Sequence, residues 1–573
     1  MERALEQQGL VGAVWSTLSP EHGIAVMAAG RRSATPPAPM RPDDRVQVGS
    51  VAKTLVATGI LRLVTEGKLR LDDPVSTLLP AHPIHNPWAA DHPLRLHHLL
   101  DHTAGLDDAR LWQLFNDAAH AETPLAAGFD PTRLRLVVRH PPGERFSYSN
   151  TSYGLLGLVI ERVTGERYEA WLDRHLLTPL GMAASTFDFV SQTGPRADST
   201  LAMGHFEKAT PAPAVPTYLR PAMQFTTTAR DMALFARFLM SDGTTHGQPF
   251  IATELLRAMG APRDTEAARA GLEIGYALGL GLRDRQGVVG RCHGGNTVGY
   301  RAMLCVYPAQ QKAFFVAMNA DSEGANYARL DSMVMSTLRL ERDAPAPVAT
   351  VSERMGRSGV YAMKPARFEM FRYLDATLDV VRVRVATDHM AIAPLLGSAT
   401  RLEPVGPQLF RAPGRTMASH VLLTTPQGAP AFSDGHRTFE RVSWPRMLMR
   451  WAILATGLLG LLYIVVIGLY RVARGRLRPA DPLLAPWLAM MALLLAGAAL
   501  TTRSMVVLGA TSTVNVVLAV VTGLLPLALA FGLWQFSRQD VGRRAADGAA
   551  MAALLLWTLA LAMHDLLPLR LWA

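Results

Sequence analysis

Ser50-Val51-Ala52-Lys53-Thr54-Leu55 opens an apolar run that closes near Gly67, and this stretch decides how the first part of the chain is read. Its periodicity predicts a helix, on which positions i and i+3 share a face. The Lys53 amine then reaches the Ser50 hydroxyl without help from distant parts of the chain. Ser50 falls in the first turn, where the positive end of the helix dipole favours a developing alkoxide. A short Ser-x-x-Lys pattern is also compatible with a serine cap and a surface lysine. Composition weighs against that reading, because only five of the 57 basic residues are lysines. Where a generic positive charge suffices, this chain uses arginine. Lysine at position 53 therefore points to an amine that must give up its proton, which arginine does not do.

Outward from this helix, strands are predicted over Val11–Leu18 and Gly23–Ala29. Helices are predicted over 151–164 and 228–239, and strands return between 274 and 318, notably Arg301–Val306 and Ala313–Met318. Strands from both ends enclosing a helical middle imply one sheet built from distant segments, an α+β arrangement and not a Rossmann alternation. Asp343-Ala-Pro-Ala-Pro-Val348 reads as a linker, assigned to 341–350. Beyond it Val381, Val383 and Val385 alternate with Arg382 and Arg384, so a small β domain is expected over 351–445.

From 446 to 573 the composition changes to long apolar stretches separated by arginine-bearing loops. Four membrane spans are expected, near 451–470, 483–502, 505–534 and 548–567, the third overlong and containing Pro526. Arg471, Arg474, Arg476 and Arg478 follow the first span, and Arg538, Arg543 and Arg544 follow the third. This bias places those two loops in the cytoplasm and the large N-terminal part outside, as in a multi-pass inner-membrane protein with a periplasmic or extracellular catalytic domain. Met1–Leu10 carries no apolar signal core, which an exported domain ordinarily has. The net charge of +10 comes from arginine-rich composition and loops, with no basic cluster interleaved with aromatics, so a nucleic-acid partner is not expected. Cys292 and Cys305 are expected as two small buried residues, a cross-strand disulfide being the alternative.

Two further motifs carry chemistry. Tyr148-Ser149-Asn150 follows the Pro141-Pro142-Gly143 turn, and in extended backbone residues two apart point the same way. Tyr148 would act as a proton shuttle, and Asn150 as a donor to a substrate carbonyl and a partner of Lys53. The alternative is an aromatic anchor and a helix cap. His293-Gly294-Gly295 precedes the Asn296–Tyr300 turn, and its glycines would let an extended substrate approach the strand. His98 and His102 have i, i+4 spacing, but no metal is expected there, and no cofactor motif is present.

Taken in order, these three motifs resemble those of the class C β-lactamase and D,D-peptidase superfamily, the penicillin-binding-protein-like serine hydrolases. The stretches Leu99-Leu-Asp-His-Thr-Ala-Gly-Leu106, Pro142-Gly-Glu-Arg-Phe-Ser-Tyr-Ser-Asn150, Leu180-Gly-Met182 and Thr227-Thr-Ala-Arg-Asp231 are similar as well. The resemblance spans roughly 8 to 340. It implies a β-lactamase/transpeptidase-like catalytic domain over 1–340, an antiparallel sheet flanked by helices. It also implies that Ser50 is acylated, that Lys53 and Tyr148 manage its proton, that Asn150, His293, Gly294 and Gly295 bind substrate, and that the backbone amides of Ser50 and Asn296 form the oxyanion hole. His293 stands where family β-lactamases carry lysine, which points away from efficient β-lactam hydrolysis. The expected activity is that of a D,D-peptidase, D-aminopeptidase or esterase on a small acyl or D-amino-acid substrate. The alternative is a β-lactam or peptidoglycan-fragment sensor acylated at Ser50 without rapid turnover. The oligomeric state is not indicated.

Overall fold

The computed structural model describes residues 1–349, 357–539 and 544–572. Residue 350 of the expected linker, residues 351–356 at the start of the expected β domain, Arg543 and Ala573 lie outside the described residues.

An eight-stranded antiparallel sheet organises the N-terminal part. Its order is Gly275–Ala277, Leu280–Arg285, Val288–Thr297, Tyr300–Tyr307, Lys312–Met318, Gly12–Ser19, Gly23–Ser33 and Ala38–Pro39. The two ends of this N-terminal part meet at its centre, where Val14 pairs with Ala317 and Trp15 with Val316. Lys312–Met318 is an almost unbroken apolar run because both of its faces are covered. Phe315 and Ala317 enter a core shared with the Ala52–Thr65 helix, whereas Phe314, Val316 and Met318 pack with Leu330 and Val334 of the Tyr327–Thr337 helix. The expected α+β sheet with flanking helices is therefore the one observed.

The small β domain is a closed eight-stranded barrel running in sequence order from Gly359–Met363 to Thr438–Val442. Val381 and Val383 point into its core with Tyr361, Phe410 and Phe432, while Arg382 and Arg384 are exposed. Eight strands leave an interior that side chains fill, and here they do.

Four C-terminal helices, Trp444–Ala473, Leu484–Thr501, Thr513–Ser537 and Ala545–Ala562, are long and apolar enough to cross a membrane. The third expected span began too early: Met505–Val507 is a short 3-10 turn in a loop, and the helix starts at Ser512, whose hydroxyl caps the Asn515 amide. Near one end of this bundle Arg471 forms ion pairs with Asp481 at 3.0 Å and Asp547 at 2.8 Å. At the other end, the 502–512 loop and the C-terminal tail touch the soluble part. The Gly509 amide donates to the Phe115 carbonyl at 2.7 Å, and Arg133 donates to the Trp572 carbonyl at 3.1 Å.

Cys292 and Cys305 are joined in a disulfide, which corrects the expectation of two unpaired buried thiols. They lie directly opposite one another in the ladder between Val288–Thr297 and Tyr300–Tyr307, with Cα atoms 4.1 Å apart. That is the close spacing of a facing antiparallel pair without mutual hydrogen bonds.

Candidate active site

Ser50 sits in a 3-10 turn, Gly49–Val51, that feeds directly into the Ala52–Thr65 helix. The turn lies against Gly295 and Asn296 because two glycines remove the atoms that would prevent it. A Cβ on Gly295 would stand 1.8 Å from the Val48 carbonyl oxygen, and one on Gly49, at φ +53, would stand 2.5 Å from the Asn296 carbonyl. Gly295 thus admits the protein's own Ser50 turn, and it also lines the cavity on which Ser50 opens. One side of this end of the strand is nonetheless left without a strand partner among the described residues. The ladder to Leu280–Arg285 ends at the Gly281–Cys292 pair, so among the described residues 293–297 pair with a strand only on their other side.

Lys53 is completely buried, and its amine is fully engaged. Its nitrogen lies 2.7 Å from Asn150 Oδ1 and 2.6 Å from the Ala222 carbonyl, to both of which it donates, and 2.9 Å from Ser50 Oγ, whose proton its lone pair accepts when the amine is neutral. Burial drives its pKa well below the ordinary lysine value; the nearby Asp108 carboxylate opposes this, and Arg367 adds to it. A neutral amine in contact with a serine hydroxyl is a general base in position. Tyr148, from the opposite wall, hydrogen-bonds Ser50, and its ring lies 4.9 Å from the Lys53 nitrogen. Burial raises the phenol, so it stays protonated. Asn150 begins the Asn150–Thr164 helix, with Ser149 as its cap accepting from the Ser152 amide. Asn150 spends its carbonyl on Lys53, which leaves its NH2 for a substrate.

His293 is buried beside this group. Nδ1 faces the Gly294 carbonyl at 2.7 Å, which only accepts, so the proton sits on Nδ1 and Nε2 accepts from the Tyr276 hydroxyl at 3.0 Å. Burial first, then the charge of Lys53, hold His293 at a pKa of about 3. It is neutral and positions the wall of the cleft without presenting a charge.

Sequence reading missed several groups. Asp108 Oδ1 accepts from the Asn150 amide at 2.6 Å and the Ala109 amide at 2.7 Å. His102 Nδ1 accepts from the Ser149 amide at 3.0 Å, and its ring lies 4.2 Å from that of Tyr148. His102 belongs to the quoted Leu99–Leu106 stretch, which was the available signal. The helical spacing of His98 and His102 does not form, because the helix ends at Leu100 and His102 takes φ 55.

The barrel also reaches the site. Arg367 Nε donates to Asp108 Oδ2 at 2.8 Å, and the Glu369 amide donates to Asp107 Oδ1 at 2.8 Å. Arg145, just ahead of Tyr148, bridges Glu266 at 3.0 Å and Glu440 of the barrel at 2.7 Å. Ser50, Tyr148, Asn150 and His293 open on one cavity of about 880 Å³, whose walls include Arg367 and Arg437 of the barrel and Met505 of the 502–512 loop.

Residues 1–334 match the family model described as Beta-lactamase. Penicillin-binding protein 4 of Amycolatopsis lactamdurans is 30% identical over 280 residues, covering 46% of this chain and 70% of that protein. Esterase EstB of Burkholderia gladioli is 35% identical over 197 residues, 32% of this chain and 48% of its own length. Among solved structures, an octameric penicillin-binding protein homologue from Pyrococcus abyssi aligns with a TM-score of 0.48 at 20% identity, over 77% of this chain and 98% of that one.

Proposed function

The chain belongs to the beta-lactamase family, and on that premise we propose that it is a membrane-inserted serine hydrolase working through an acyl-enzyme on Ser50. The observation that carries this reading is the buried Lys53 amine, held by Asn150 Oδ1 and placed 2.9 Å from Ser50 Oγ to accept its proton. Ser50 Oγ attacks the substrate carbonyl carbon while its proton passes to the Lys53 amine, with Tyr148 relaying it toward the leaving group. The backbone amides of Ser50 and Asn296 take the oxyanion, each such donor being worth about 3 kcal/mol. The bond to the leaving group then breaks, the leaving group takes the proton, and water hydrolyses the acyl-Ser50 ester by the reverse relay.

Small esters and D-amino-acid-containing peptides are the proposed substrate class. Support comes from the relatives, named as an esterase and a penicillin-binding protein, and from the neutral His293. We place the catalytic domain outside an inner membrane. The arginine-rich loops, the disulfide and the contacts of the 502–512 loop and tail with the soluble part all support that orientation.

The test is intact mass of the full chain, wild type and Ser50→Ala, after exposure to penicillin and, separately, to p-nitrophenyl acetate. Ser50-dependent acetate turnover is the expected result. A penicillin adduct that persists, without ester turnover, favours a sensor. The absence of any Ser50-dependent adduct or turnover overturns the acyl-enzyme reading.

A further inference from the structure

The cavity that holds Ser50 is walled by two different chemistries. Its lining includes the polar groups of Arg367, Arg437 and Asn296 and the apolar side chains of Phe115, Val215, Met223 and Met505. The last of these comes from the segment joining two membrane-length helices, and it lies only four positions beyond Thr501, where the Leu484–Thr501 helix ends. Even a fully extended chain places Met505 within about 14 Å of that helix end. Met505 therefore brings the lining of the cleft close to the end of a membrane-length helix.

This wall is built into the fold. Gly509 packs backbone against backbone on the Leu111–Leu114 segment, since a Cβ there would stand 2.4 Å from Trp112 Cα, and its amide donates to the Phe115 carbonyl at 2.7 Å. Asn515 donates to the Leu508 and Ala510 carbonyls at 2.9 and 2.7 Å, fixing the loop from the helix side. Beneath it Leu571 and Leu518 share a cluster with Leu111, so the loop, the tail and the edge of the cleft are one packed unit. An anchor alone has no need to furnish a wall of the catalytic cavity.

We propose that the substrate is a membrane-borne amphiphile, an ester whose acyl arm lies along Phe115, Met223 and Met505 and whose polar leaving portion faces Arg367 and Arg437. The inference rests on the hydrolase reading above and adds the substrate class. The chemistry is unchanged: Ser50 Oγ bonds to the acyl carbon, the ester C–O bond breaks, the leaving alcohol takes the relayed proton, and water releases a fatty acid. An acyl chain rising from the outer leaflet enters the trough without crossing bulk water. Each methylene buried there is worth up to about fourfold in kcat/KM.

The experiment uses the full chain in lipid nanodiscs and p-nitrophenyl acetate, butyrate, hexanoate and octanoate, with Ser50→Ala as the blank. Wild-type kcat/KM should climb with acyl length, mostly through KM, and Met505→Asp should lower the octanoate-to-acetate ratio by about tenfold or more, with Met505→Ala intermediate. A flat or falling wild-type profile overturns the inference while leaving the hydrolase reading intact, and this comparison needs no variant to fold. A rising profile whose ratio neither Met505 variant changes also overturns it. No Ser50-dependent hydrolysis of any ester overturns the hydrolase reading, and the inference falls with it.

Discussion

Arg367 Nε donates to the buried Asp108 carboxylate at 2.8 Å across 259 positions of sequence, and the same guanidinium lies 4.8 Å from the centre of the Tyr148 ring. The other Asp108 oxygen holds the Asn150 amide, and Asn150 holds Lys53. A barrel residue thus steadies the catalytic loop through two hydrogen bonds and bears on the charge of the base.

Arg367 and Asp108 should move the catalytic pH profile in opposite directions. The Lys53 amine must be neutral to accept the Ser50 proton, and Arg367 lowers its pKa whereas Asp108 raises it. Arg367→Ala then shifts the acidic limb of kcat/KM to higher pH, and Asp108→Asn shifts it to lower pH. Arg367 is about half exposed, so its hydrogen bond sits at the weak end of the charge-assisted range, and acylation at neutral pH should slow about five- to tenfold. Limbs that move the same way, or not at all, would refute the coupling.

His293 and Tyr276 should behave as a unit. His293→Phe removes the 3.0 Å acceptor of the buried Tyr276 hydroxyl and leaves it the longer 3.3 Å contact with Tyr153 Oη, at a cost of about 1 kcal/mol. Removing both polar groups, His293→Phe with Tyr276→Phe, should cost less than the sum of the single variants in thermal melts. Wild type should also lose stability as pH falls. His293 and His98 both have folded pKa values of about 3, chiefly through burial. Their unfolded forms take up protons near pH 6.5, so each contributes stability that is present above that pH and lost toward pH 3, by about 1.4 kcal/mol per unit. His293→Phe should flatten that slope, and an unchanged slope would contradict the assignment.

The disulfide should be both stabilising and diagnostic of compartment. Closing a loop of sequence separation 13 constrains the unfolded chain by about 3 kcal/mol in the entropy model. Cys292→Ser with Cys305→Ser should lower the melting temperature of the catalytic domain by several degrees. In cells, thiols trapped by alkylation on lysis should be absent from the wild type. Two alkylated thiols would place this domain in a reducing compartment.

What the sequence revealed was what is local or periodic. Ser50 and Lys53 are linked by helix geometry alone, and alternation at Val381–Val385 marked a strand whose buried and exposed faces are those observed. Lys312–Met318 was visible as a strand because burial on both faces made it continuously apolar. Asp108, His102 and Arg367 carry no such pattern, since each acts from a loop on a partner 42, 47 or 259 positions away. The start of the third long helix was misplaced because Met505–Leu508 is as apolar as a span. Met505 of that stretch lines the cavity of Ser50, and the adjoining Gly509 amide bonds the Phe115 carbonyl.

The same contacts fix which loops share a side with the catalytic domain. Gly509 bonds Phe115, Trp572 bonds Arg133, and the His564 ring stacks on Tyr373 of the barrel domain at 5.0 Å. The Arg471, Asp481 and Asp547 cluster belongs to the opposite loops. These contacts put the 502–512 loop and the tail on the catalytic domain's side of the bundle and the Arg471 cluster on the other, and the arginine bias of the loops predicts that the domain's side is the outside. With the native cysteines joined, Arg503→Cys in intact cells should react with a membrane-impermeant maleimide, and Arg476→Cys should react only after lysis. Equal labelling before lysis, or the reverse order, would overturn the outward placement of the catalytic domain.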